Sequence, residues 1–170
     1  MPQMQDPNFN GTLTYICEHN EQGAMGIIIN RPIELSLAEL LSQLELPLKG
    51  QEATIYAGGP VEQERGFILH NDTREWEASM ETSSSLKLTS SKDILQAISD
   101  DDGPENFLIA LGYAGWSEGQ LEQELAANTW LFCPSSADII FHKNTHEKLP
   151  LAMSKIGIDL NQLSGQIGHA

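Results

Sequence analysis

Phe107-Leu108-Ile109-Ala110-Leu111-Gly112-Tyr113-Ala114-Gly115-Trp116-Ser117-Glu118-Gly119-Gln120 is the stretch that decides the fold. Phe107 to Tyr113 is an apolar run of strand length, too short for a core helix and ended by glycines. Ser117-x-x-Gln120 then fits a capping box, which predicts a helix through about Ala127 with Leu121 and Leu125 turned inward. A buried strand thus passes through a Gly-rich turn straight into a helix. A second segment has the same character: Thr54 to Ala57 reads as a strand leading into Gly58-Gly59-Pro60-Val61, and Arg65-Gly66-Phe67-Ile68-Leu69-His70 resumes as a strand over 66–70. Glycine at such points lets the backbone take a positive φ or approach another group closely.

Working outward, Leu13, Tyr15, Cys17 and His19 alternate with Thr12, Thr14, Ile16 and Glu18, the period of a half-buried strand. His19-Asn20-Glu21-Gln22-Gly23 reads as a turn. Ala24 to Asn30 is nearly all apolar, as in a strand buried on both faces, so a hairpin is expected. Pro32 should end that strand and hold Arg31 extended. Ser36-x-x-Glu39 opens a helix whose stripe is Leu37, Leu40, Leu41 and Leu44. Weaker strands are expected at 76–80 and 86–89. Ser90-x-x-Asp93 predicts a cap for a helix that buries Ile94, Leu95 and Ile98. Trp130 to Cys133 reads as another strand, stopped by Pro134. Thr145 is the expected cap of a last helix with the stripe Leu149, Ala152, Met153 and Ile156, closed by Gly157. The tail from Ile158 to Ala170 reads as a turn-rich extension. Interspersed strands and helices point to the α/β (α+β) class: a single compact domain over 1–170, with a large mixed β-sheet flanked by helices.

At 170 residues the chain is long enough to bury a core without metals or disulfides. It carries 24 acidic and 9 basic residues, a formal net charge of −15. Nucleic-acid affinity depends on Lys and Arg neutralising phosphates, and the basic residues here are scattered, so DNA contact is disfavoured. Anionic membrane surfaces are disfavoured for the same reason. The longest apolar stretch, Ala24 to Ile29, is far below the ~20 residues of a membrane span. The first residues lack the basic and apolar regions of a signal peptide, so a cytoplasmic location is expected. Cys17 and Cys133 form no Cys-x-x-Cys and read as free buried thiols.

Motifs for chemistry are weak. Gly112-x-x-Gly115-x-x-x-Gly119 before a helix could hold an anion, but no Lys follows it and Glu118 would repel phosphate. Asp100-Asp101-Asp102-Gly103-Pro104 reads as a solvated turn, since its spacing does not match a calcium loop. Glu122 and Glu124 project about 200° apart on a helix and cannot act as a pair. His142 and His146 have a metal-like spacing but no third ligand in the pattern. Cys17 and His19 share a strand face, which reads as core rather than as a thiol–imidazole pair. No cofactor is called for. His70, at a strand end near the first glycine segment, reads as a structural hydrogen-bonding group first and an acid/base second.

Several of these segments together resemble one family. Thr14-Tyr15-Ile16-Cys17-Glu18-His19, Gly23-Ala24-Met25-Gly26 with Ile29-Asn30-Arg31-Pro32, Gly58-Gly59-Pro60-Val61, Arg65 to His70, and Gly112-Tyr113-Ala114-Gly115-Trp116 with Gly119-Gln120-Leu121-Glu122 are similar, in that order, to the bacterial AlgH/YqgE family. The resemblance runs from Asp6 to the last three residues. It implies a bacterial cytosolic protein with a mixed sheet flanked by helices, and it supplies no mechanism. Some members carry a transcriptional-regulator label, which the charge of this chain does not support as direct DNA contact. Members usually carry a further apolar strand-like segment before the Met-Pro that begins here; without it, an exposed sheet edge would favour self-association.

The expected function is therefore a non-enzymatic binding or regulatory module. Its site would be formed by Asn30, Arg31, Gly58, Gly59, Pro60, Arg65, His70, Gly115, Trp116, Gln120 and Glu122, facing a protein partner or a small polar ligand. The alternative is an enzyme on a small molecule or peptide, with His70 or Glu122 as acid or base. A DNA-binding regulator ranks third.

Overall fold

The computed structural model describes residues 6–82 and 85–159. Its elements follow the chain as β1 (Thr14–Asn20), β2 (Gly23–Ile28), β3 (Pro32–Ser36), α1 (Leu37–Gln43), β4 (Thr54–Ala57), β5 (Val61–His70), β6 (Ser79–Glu81), β7 (Lys87–Thr89), α2 (Lys92–Ser99), β8 (Phe107–Trp116), α3 (Gln120–Ala126), α4 (Ala137–Ile140) and α5 (Thr145–Lys155). Among the described residues, eight strands form one mixed sheet in the order β1-β2-β8-β5-β7-β6, with β3 on β4 and β4 on β8. All pairings are antiparallel except β4 with β8.

Strand β8 organises the sheet. Along one edge it pairs first with β4, Ile55 opposite Ile109, and then with β2, Ala24 opposite Trp116. Its other edge carries β5, Phe67 opposite Ala110. The change of neighbour falls at Gly112, whose φ is +78°. Apolar character on both faces explains why 66–70 and 107–111 read as continuous runs. Phe67, Leu69, Leu108 and Ala110 enter one core with Tyr15, Cys17, Ile27 and Ile29. Their strand neighbours Ile68 and Ile109 point the other way, against Leu37 and Leu41 of α1 and Ile94 and Ile98 of α2. Each fully buried aliphatic side chain contributes about 1.5–3 kcal/mol.

The predicted α1 cap forms: Ser36 Oγ accepts the Glu39 N–H at 3.0 Å. Several other readings need correction. Pro32 begins a strand, β3, because only its missing N–H bars it from a sheet interior, and β3 lies at an edge. Ser91, not Ser90, precedes α2, and its hydroxyl donates to Asp93 Oδ1 instead of capping. At α5 Asn144 is the cap, its Oδ1 accepting the His146 N–H, and Thr145 is the first helical residue. Trp130 to Cys133 is not a strand. Trp130 turns into the aromatic cluster with Phe9 and Trp116, while Leu131 and Phe132 stand exposed, so their apolar character does not mark sheet pairing. Strand β5 begins at Val61, ahead of the Gly66 expected to open it, and β8 runs to Trp116, past the Tyr113 expected to end it. The strand expected at 76–80 is instead Ser79–Glu81. The expectations for an additional N-terminal strand and for the tail beyond Asp159 lie outside the described residues.

Among the described residues, no helix is long and apolar enough to cross a membrane.

Candidate functional site: a small polar cleft and a larger apolar cavity

The two Gly-rich segments do meet, but they meet each other. A β-carbon on Gly59 would lie 2.1 Å from the Tyr113 carbonyl carbon, and one on Gly58 would lie 2.3 Å from the Gly112 oxygen. The Gly58 N–H donates to the Leu111 carbonyl at 2.7 Å, and the Gly58 carbonyl accepts the Ile28 N–H at 2.8 Å. Close backbone packing at the junction of β2, β4 and β8 therefore accounts for these glycines.

Beside this junction lies a cleft of about 280 Å³, lined by Asn8, Arg31, Gly59, Pro60, Gln63 and Leu111 among others. Three of the expected site residues come together here. The Arg31 guanidinium is already committed, however. It donates to the backbone carbonyls of Pro7 at 2.9 Å and Asn10 at 3.0 Å, and also to that of Asn8. Asn30 works alongside, accepting the Leu13 N–H and donating to the Gly11 carbonyl. Together the two side chains fasten residues 7–13 to the sheet.

His70 and Arg65 line neither this cleft nor the larger cavity described below. His70 is fully buried. The Asp72 N–H donates to its Nδ1 at 3.1 Å, so the proton sits on Nε2, which donates to Thr89 Oγ1 at 2.7 Å. Burial lowers its basicity, with Asp72 opposing. Both nitrogens are used structurally. Arg65 is exposed, reaching Glu62 and Ser90 and lying over the Phe67 ring.

The second glycine segment leads to a different place. Trp116 is buried rather than presented. Its indole N–H donates to Glu124 Oε2 at 2.7 Å, and the same oxygen accepts the Trp130 N–H at 3.1 Å. The residue that caps α3 is Gly119, φ +72°, instead of Ser117. The Gln120 side chain reaches back to the Ser117 N–H, so only the reverse half of the expected box forms. Gly115 pairs with Met25 in the ladder. Glu122 is exposed and pairs with His19. A hydrogen bond from its own backbone N–H and the His19 contact hold its carboxyl below the usual range.

The wall of Trp116 and Trp130 belongs to a cavity of about 410 Å³ between β1, α3, the 130–136 segment, α4 and α5. Its lining is mainly apolar: Tyr15, Leu121, Leu125, Phe132, Ile139 and Met153 are representative. At its rim Leu131 is 44% and Phe132 75% exposed. The flanking elements carry exposed Glu18, Glu122 and Asp138. This size is that of small-molecule and peptide-anchor sites. The run Leu131-Phe132 before Pro134 was the available signal, hidden by its strand-like composition.

Sequence reading also passed over Lys148, a fully buried cation. Its Nζ donates to the Ile29 carbonyl at 2.9 Å and to Tyr56 Oη at 3.2 Å, and sits 4.4 Å from the Tyr56 ring centre. Burial pushes its ammonium down to about 8. It ties α5 to the ends of β2 and β4. Among the described residues no cluster of His, Cys, Asp or Glu could hold a metal ion.

Comparison with known proteins agrees with this architecture. A family model described as AlgH-like matches residues 1–161. Proteins called UPF0301 from Hahella chejuensis and Thiobacillus denitrificans are each 49% identical, over all of this chain and 92% and 93% of theirs. The solution structure of the AlgH protein from Pseudomonas aeruginosa superposes with a TM-score of 0.82 at 48% identity, covering all of this chain and 92% of that one. A Corynebacterium diphtheriae crystal structure shares the fold at a TM-score of 0.69 and 19% identity, over 89% of this chain and 81% of that one. Matching across nearly the whole chain, in sequence and in fold, places this protein in the AlgH-like family.

Proposed function

We propose that this protein is a non-enzymatic binding module that takes an apolar, lysine- or arginine-flanked segment of a partner protein into the 410 Å³ cavity. The observation that carries this reading is the cavity itself, apolar within and rimmed by exposed Leu131 and Phe132. Exposed apolar rims of this kind mark contact surfaces. The exposed carboxylates of Glu18, Glu122 and Asp138 on the flanking elements make a basic flank the complementary one. The enzyme alternative loses support because His70 is enclosed by Asp72 and Thr89 and faces neither concavity. A regulatory role would run through protein contact rather than DNA, in line with the net charge of −15. A cytoplasmic setting fits the two free cysteines.

The test is fluorescence anisotropy with a labelled synthetic peptide presenting leucine and phenylalanine on one helical face between lysines. Saturable binding is expected, weakened about tenfold in Phe132→Ser, whose exposed side chain can be removed without disturbing the core. Equal binding of a serine-for-leucine control peptide would overturn the reading.

A further inference from the structure

The small cleft beside Arg31 has a chemistry that fastening the chain does not exhaust. Among its described lining residues Arg31 is the single charged one. Ile28, Ile33 and Leu111 give it an apolar side, and Asn8 and Gln63 bring side-chain amides. Its volume of about 280 Å³ is at the small end of ligand sites. Among the described residues no carboxylate forms an ion pair with Arg31, although the chain has 24 acidic residues. Its charge is met by the neutral carbonyls of Pro7, Asn8 and Asn10.

A guanidinium grips a carboxylate with two parallel N–H bonds from one of its forks. Nη2 belongs to both forks. Here Nη2 donates to Pro7 at 2.9 Å and to Asn10 at 3.0 Å, so the protein's own backbone closes both. A carboxylate that takes a fork exchanges a neutral acceptor for a charged one, and charge-assisted bonds are the stronger kind. One guanidinium balances one negative charge, and the apolar side suits an alkyl group. A phosphate dianion would leave a charge unbalanced in an already acidic protein.

Taking that fork disturbs the 7–10 segment. Its Phe9 ring centre lies 6.1 Å from that of Trp116 and 5.3 Å from that of Trp130. The Arg31 bonds to Asn8 and Asn10 flank Phe9 on both sides, so they set where its ring sits. Trp116 and Trp130 in turn wall the apolar cavity.

We propose that this cleft binds a small aliphatic carboxylate, held by a fork of Arg31 with its alkyl group against Ile28, Ile33 and Leu111, and that its arrival frees the 7–10 segment and shifts Phe9 on the two tryptophans. The carboxylate is that of a free acid or of a peptide chain end. Neither part rests on the peptide reading above, and both are measured without the peptide, so failure of that reading leaves this one standing.

The test is titration of the isotopically labelled full chain with isovalerate at constant ionic strength, followed by two-dimensional NMR and tryptophan fluorescence. Saturable shifts are expected at the Asn8 and Gly59 amides, the Gln63 side chain and the Arg31 Nε–H, with a parallel fluorescence change. Isovaleramide, which has the same shape without the charge, and inorganic phosphate should each bind about tenfold more weakly or not at all. Arg31→Lys keeps a cation but has no fork, and should lose about tenfold in affinity. Gln63→Ala leaves the Arg31 bonds in place and should lose about threefold, which keeps the site testable should Arg31→Lys fail to fold. In Phe9→Leu the Gln63 shift should persist while the fluorescence change is lost. N-acetyl-leucine binding more tightly than isovalerate would assign the site to a chain end, and the reverse order to a free acid. No saturable shift with either acid, or equal shifts with isovaleramide, would overturn the site. Saturable shifts with unchanged fluorescence would overturn the coupling to Phe9.

Discussion

Gly59 and Tyr113 pack backbone against backbone, so closely that a β-carbon on Gly59 would lie 2.1 Å from the Tyr113 carbonyl carbon and 2.2 Å from its oxygen. Neither segment can yield without pulling β4 or β8 out of the sheet. Gly59→Ala should therefore destabilise the protein by roughly 3 kcal/mol or more, the range of severe backbone conflicts. Gly115→Ala, where the nearest group is the Tyr113 ring at 3.5 Å, should stay within about 1 kcal/mol. Urea denaturation of the two variants gives the comparison; similar midpoints would contradict the close approach.

Lys148 gives a signature at alkaline pH. Its ammonium titrates near 8 in the folded chain, against a usual value of 10.5. Between those values the unfolded chain binds more protons, so this group makes stability rise with pH. The gain is complete above 10.5 and is lost as pH falls through 8. Over that window the parent should gain on Lys148→Met by roughly 2–3 kcal/mol. Near pH 7 the variant should match or exceed the parent, because burying an unpaired cation offsets much of its hydrogen bonding. Stability measured at pH 7, 8, 9 and 10 in both proteins checks the sign.

His70 acts on the acid side. Its folded pKa is depressed by burial. Its contribution is therefore present above the ordinary value of 6.5 and erodes as pH falls below it. Thermal unfolding between pH 7 and 5 should fall more steeply in the parent than in His70→Gln. Parallel slopes would mean that the Thr89 and Asp72 hydrogen bonds do not hold the ring neutral.

The two thiols should differ in reactivity. Cys17 is buried and pushed up to about 12, chiefly by burial, whereas Cys133 lies half-buried at the cavity, where burial raises its thiol and Lys155 opposes. Reactivity follows access and thiolate fraction. A chromogenic disulfide reagent at pH 8 should titrate one thiol in the native protein and the second only in guanidinium. Cys133→Ser should abolish the native phase.

The order of strands and helices along this chain is partly legible in its sequence. Alternation along 13–19 placed Tyr15 and Cys17 in the core, and the apolar runs at 24–29, 66–70 and 107–113 marked buried strands. Ser36 was a correct cap because its hydroxyl and the Glu39 N–H are three residues apart, a local relationship. The caps that failed, at Ser90, Ser117 and Thr145, each missed by one or two residues. Neighbouring Ser, Gly or Asn competes for the same role, and helix packing decides which one wins.

Candidate site residues were harder. Arg31, Gly59 and Pro60 do share one cleft, yet His70, Arg65 and Trp116 lie apart from it. A strand end beside a glycine segment in sequence need not face the same side of the sheet, since successive side chains point to opposite faces. Leu131-Phe132 read as a strand because composition cannot distinguish an apolar cavity rim from a pairing strand.

From sequence alone came the class of fold, the strand periods, the acidic charge balance and the family, because each depends on local spacing, on composition or on motifs in order. Tertiary structure alone decided that the two glycine segments pack on each other, that Arg31 fastens residues 7–10, that Lys148 is buried on Ile29 and Tyr56, and that a cavity opens beside Trp130. These are contacts between residues tens of positions apart, set by how both faces and both edges of one strand, β8, are covered, and no spacing along the chain carries that information.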